Sequence, residues 1–186
     1  MTETQFWEDD CPLLQEIVGK EWESYRTNLW ANDAIEYHTD NSKVMDMPAK
    51  LYLEREAIIQ KVENFYGKTI EAALGKPLDD NSNEFAGNMG TRLNISLGLP
   101  IIGGTEAPYL LLFTSIDGAE PEEIIRCCAD VIQARDFLAK KGYEIEYEQN
   151  EGNLDHTINP KIDSVAELKT FLGDLKQLYD LFEGGK

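Results

Sequence analysis

Two histidines and three cysteines are the side chains of this chain best suited to chemistry. His38 lies between Glu36 and Asp40, and His156 follows Asp155. A histidine beside a carboxylate can act as a general base or as one ligand of a metal. The same pairing arises without function in a chain this acidic. His156 also shares strand parity with Leu154 and Ile158, which predicts a partly buried and satisfied ring. Two histidines without a Cys-x-x-Cys motif do not compose a structural zinc set. Cys127 and Cys128 fall in mid-helix, away from the N-terminal field that lowers a thiol pKa, and Asp130 nearby opposes ionisation. Core packing is their better reading. With Cys11 they make an odd set without a disulfide framework.

Two loop motifs fail on their own geometry. Gly67-Lys68-Thr69 invites a phosphate loop, but Val62 stands where the first glycine must be, in a segment patterned as helix. Asp79, Asn81 and Asn83 have the opening spacing of a calcium loop. Glu84 then replaces the turn glycine, and Gly90 replaces the bidentate glutamate. No Gly-x-Ser-x-Gly elbow exists for an acyl nucleophile. The expectation is no catalytic residue, no bound metal and no cofactor.

The constellation that remains is acidic. Glu144, Glu146 and Glu148 alternate with Tyr143, Ile145 and Tyr147. A strand places such residues on one face, about 6.6 Å apart. Glu151 and Asp155 extend the row through the following turn. Like charges so close repel one another. A charged face can blunt a sheet against aggregation, or it can steer in a basic partner. Trp7 and Trp30, with Phe6 and Trp22, supply large aromatic residues that serve as interface anchors or as core.

Composition agrees with this emphasis. The 186 residues hold 35 acidic and 17 basic side chains, a formal charge of −18. Small soluble domains more often carry a net charge of magnitude about 2–8. The acidic excess runs along the whole length, without a basic patch. Direct nucleic-acid binding and docking on an anionic membrane are therefore disfavoured. Apolar residues are 42% of the chain and aromatics 10%, enough for a packed core. Met1 to Gln5 lacks the basic and apolar regions of a signal peptide, and no apolar run reaches membrane-spanning length. These features predict a cytoplasmic protein.

The elements that must carry these residues follow from periodicity. A helix starts near Asp10 and Pro12 and runs through Leu13, Leu14, Ile17, Val18, Trp22, Tyr25 and Leu29. A second spans about Pro48 to Leu74, with Gly67 as a break or bend. Residues 75–90 read as a loop. Leu93, Ile95 and Leu97 alternate as a strand, Pro100 to Ile102 suggests a further short one, and Tyr109 to Ile116 reads as a central strand. Pro121, Glu122 and Glu123 open a helix that Lys140, Lys141 and Gly142 close. Its buried stripe is read as Ile124, Ile125, Cys128, Val131, Ile132 and Leu138. Two more strands follow, and Ser164 to Glu167 forms a capping box for the last helix.

The predicted fold is one α+β domain over 1–186, in the order α-α-β-β-α-β-β-α. It comprises a helical part (1–74), a loop (75–90) and a sheet-and-helix part (91–186). The sheet is mainly antiparallel, of four to five strands, with helices on one face. This order and acidity resemble those of small acidic secretion chaperones, which implies a binding role. The leading expectation is a non-enzymatic module of inhibitor, immunity or chaperone type that docks on a basic protein, with nucleic-acid mimicry as one form. The alternative is a small enzyme or ligand-binding domain, with a site near 75–108 and a histidine. Self-association through the Tyr109–Ile116 hairpin or the last helix is a third expectation.

Overall fold

The computed structural model describes residues 11–21, 46–75, 84–89, 93–101, 107–115, 118–150 and 153–183, with the backbone alone at 46–55, 84–89, 115, 147–150, 153–155 and 183. The architecture is α+β. Its elements are α1 (Pro12–Val18), a 3-10 turn (Gly19–Glu21), α2 (Asp46–Leu74), β1 (Glu84–Met89), β2 (Leu93–Gly98), β3 (Tyr109–Ser115), α3 (Pro121–Lys140), β4 (Ile145–Asn150), β5 (Asn153–Ile158) and α4 (Val165–Glu183).

The five strands among the described residues form one antiparallel sheet in the order β1-β2-β3-β5-β4. Alternation sets its two faces. Leu93, Ile95 and Leu97 of β2, Leu110 and Leu112 of β3, and His156 and Ile158 of β5 share one face and are buried. This face joins the buried sides of the helices in one core, from Leu13 and Leu14 of α1 and Val62, Tyr66 and Ile70 of α2 to Phe171, Leu172 and Leu175 of α4. Helix α3 packs on β2, β3 and β5, and α2 packs on α4. A chain of this size gains most of its stability from such burial.

Polar ties fix the helices locally. Ser164 Oγ accepts the Glu167 N–H at 3.2 Å, while Glu167 Oε2 accepts the Asp163 N–H at 2.8 Å and the Ser164 hydroxyl at 3.0 Å. The Asp163 N–H, and after it the Ser164 hydroxyl, hold the Glu167 carboxyl below its usual range. The capping box is thus formed. The buried Tyr66 hydroxyl donates to the Pro100 carbonyl at 2.8 Å, and burial raises its pKa. Lys61 Nζ donates to the Val18 carbonyl at 2.9 Å and pairs with Glu21 at 2.6 Å, tying α2 to the turn after α1.

Several sequence expectations need correction. Helix α1 stops at Val18, where Gly19 takes a positive φ of 69° that glycine adopts without a Cβ clash. Trp22, Tyr25 and Leu29 lie outside the described residues. Helix α2 passes through Gly67 unbroken. A mid-helix glycine costs only about 1 kcal/mol against alanine, and Tyr66 and Ile70 are buried on either side of it. The stretch 75–90 is not all loop, because Glu84–Met89 forms β1 by pairing with β2. Its Asn and Gly content hides a strand whose order comes from that pairing. Three strands therefore precede α3. Residues 99–101 are irregular rather than a short strand.

The stripe of α3 also differs from expectation. Cys127, Val131, Ala134 and Leu138 are its buried residues. Ile125 is 69% exposed, Ile132 is 44% exposed, and Cys128 is half-buried. At about 100° per residue the apolar positions of α3 span roughly half its circumference. The sheet covers only one flank of that arc.

Candidate functional site

The acidic row lies at the edge of the sheet. Strand β4 is outermost, and Glu144 and Glu146 are exposed. By strand parity Glu148 takes the same face. It stands opposite Asp155 of β5, which in turn stands opposite Phe113 of β3. Like charges on directly opposed residues destabilise a sheet. Among the described residues, no cation pairs with Glu144 or Glu146. Glu151, Trp7, Trp30 and His38 lie outside the described residues, as does the stretch Asp79 to Asn83.

The same face carries an apolar stripe. Tyr109, Leu111 and Phe113 of the central strand are half-buried there, opposite in parity to the core residues of β3. They take no part in the helix-covered core. The Tyr109 ring lies over Gly98 of β2, its cross-strand partner, where a Cβ would collide with it. The face is therefore apolar along β3 and acidic along β4, two strands or about 9.6 Å away.

The other face of β4 borders an open cleft of about 700 Å³. His156 and Ile145 form its sheet side, Cys128, Ile132 and Arg135 its helix side, and Tyr143 one end. His156 is buried at 6% exposure, as strand parity predicts. Arg135 is occupied by its neighbour Asp136, at 2.6 Å. The Tyr143 hydroxyl donates to Asp174 at 2.9 Å; burial first, and then this bond, raise its pKa. Asp174 also accepts Lys141 Nζ at 2.8 Å, so the end of the cleft is fixed to α4. Among the described residues no carboxylate lines the cleft, and it does not reach residues 75–108. Nor do three His, Cys, Asp or Glu side chains among them gather where a metal ion could bind.

A second cavity of about 660 Å³ lies between α2 and α4. Phe65, Ala72, Ala73 and Gly173 give it an apolar lining, with Lys68, Lys169 and Lys176 around them. Lys176 pairs with Asp180 one helical turn on. Among the described residues no helix is long and apolar enough to cross a membrane.

Comparison of the chain with protein-family models, with curated proteins and with solved structures finds no match. The reading of the site therefore rests on its own geometry.

The sequence located Glu144 and Glu146 through strand alternation. It missed the exposed isoleucines of α3 and the cleft beside them. The available signal was the breadth of apolar positions on α3, too wide for a single buried stripe.

Proposed function

We propose that the chain is a non-enzymatic protein-binding module that docks on a basic protein. One observation carries the reading: the sheet face opposite the core combines half-buried Tyr109, Leu111 and Phe113 with exposed Glu144 and Glu146, which no cation pairs among the described residues. An apolar strip beside a charged border is how interfaces obtain both affinity and specificity. The net charge of −18 makes the preferred partner cationic and draws it in over long range. Inhibitor, immunity and chaperone roles share this surface. In the nucleic-acid mimic version, the partner is a protein whose basic site otherwise holds phosphates. The test is the salt dependence of the captured partner's affinity. Between about 50 and 500 mM salt, where screening changes severalfold, affinity should fall by at least about tenfold. A partner held equally tightly across that range contradicts the electrostatic reading.

A second reading is favoured by the cleft at His156. Its volume of about 700 Å³ suits a small ligand, with the His156 ring on its floor. A metabolite that raises the melting temperature of the wild-type chain, but not of a folded His156→Asn variant, would support it.

A further inference from the structure

Strand β4 is the outer strand of the sheet, and among the described residues nothing pairs with its free side. An edge strand presents backbone N–H and C=O groups to any extended chain that approaches. At β4 the cleft opens directly beside the strand, with Ile145 on one wall and Ile132 on the other. Ile132, on the cleft wall, is 44% exposed, and Ile125 of the same helix is 69% exposed. On the opposite face of the same strand stand Glu144 and Glu146, with Glu148 in parity.

We infer that β4 accepts an extended segment of a basic protein as a sixth strand, one whose residues alternate between apolar and Lys or Arg. This rests on the binding-module reading and names its partner's chemistry. The segment's main chain pairs with β4. Successive side chains of a strand point to opposite faces. The apolar ones therefore enter the cleft beside Ile145 and Ile132, and the basic ones meet the glutamate row. Main-chain bonds supply affinity and the alternate side chains supply specificity. A second copy of this chain is the wrong occupant. Two β4 strands paired antiparallel place their glutamate rows on one face, with opposed residues about 4.5–5.5 Å apart, and the carboxylates repel.

The probe is a short peptide alternating lysine and valine, titrated against the intact chain by fluorescence anisotropy, with amide shifts read by NMR. It is compared with the same peptide N-methylated along one edge and with a glutamate–valine peptide. The lysine–valine peptide should bind and shift the amides of 145–150. N-methylation, which removes its main-chain donors, should weaken it by about tenfold. The glutamate peptide should not bind. Ile132→Ser and Glu146→Lys, both at exposed positions, should each weaken binding severalfold. Equal binding of the N-methylated peptide overturns the inference and leaves the acidic docking surface standing. So does absence of lysine–valine binding while a captured basic partner remains salt-sensitive. Absence of both removes the inference and the binding-module reading together.

Discussion

The cavity between α2 and α4 and the cleft between α3 and β4 are similar in volume, about 660 and 700 Å³, yet they are built in opposite ways. The first lies between helices whose buried faces, Val62, Tyr66 and Ile70 on one and Leu172, Leu175 and Tyr179 on the other, belong to the shared core. Cations surround it in an otherwise acidic chain. The second lies between a helix that exposes two isoleucines and a strand that ends the sheet. Its neighbouring carboxylates have no cation among the described residues. The helical flank buries its apolar faces in the shared core, and its Lys176 pairs with Asp180. The β4 flank brings together carboxylates, isoleucines and a strand edge that nothing pairs among the described residues. On the proposed reading, such a concentration is the surface that meets the partner.

If that contrast is right, substitutions on the helical flank remove stability, whereas those on the β4 flank remove binding. The largest effect is expected at Phe171, fully buried and edge-on to Tyr143 with ring centroids 5.4 Å apart. Phe171→Ala should cost about 3–5 kcal/mol in urea unfolding. A loss below about 1 kcal/mol would mean that this flank is not tightly packed.

Glu144→Lys combined with Glu146→Lys should weaken a basic partner by at least about tenfold, or ~1.4 kcal/mol. It should leave stability unchanged or slightly raised, since a row of like charges is relieved. Lys68→Glu at the other cavity should leave that affinity unaltered. If Lys68→Glu reduced binding as much as the reversal at β4, the two flanks would not be functionally distinct.

Tyr143→Phe sharpens the boundary between the two flanks. Losing the bond to Asp174 should cost about 1 kcal/mol. The folded pKa of Tyr143 is raised, so its contribution is complete below the unfolded value of about 10. It is lost as pH rises above that, because the unfolded chain ionises first. The phenylalanine variant should lack this part of the alkaline loss in stability, measured by unfolding at a series of pH values. A small stability change is expected at Ile132. Ile132→Ser should stay within about 0.5 kcal/mol of wild type, and a larger cost would place this side chain in the core.

How far the sequence could be read follows from the same contrast. The last helix was legible because Leu168, Phe171, Leu172, Leu175 and Leu178 repeat at helical spacing behind the Ser164–Glu167 capping box. Strands β2 and β3 were legible through alternation and a continuous apolar run. β1 was hidden, because Glu84, Gly87 and Asn88 have little intrinsic strand preference and are ordered by their partners on β2. The acidic row could be placed on one strand face from parity alone. That this strand lies at the edge, with a cleft behind it, is a matter of strand order, which local periodicity does not encode. The inverted reading of Ile125 and Ile132 has the same origin: helical spacing finds an apolar arc but does not say which part of it the sheet covers.

The most direct test uses two tagged baits in the native cell extract, the wild-type chain and its Glu144→Lys, Glu146→Lys form, captured at low salt and eluted by rising salt. The binding-module account predicts a stoichiometric basic protein on the wild-type bait that leaves as salt rises and is absent from the charge-reversed bait. The same protein on both baits, or none on either, contradicts it.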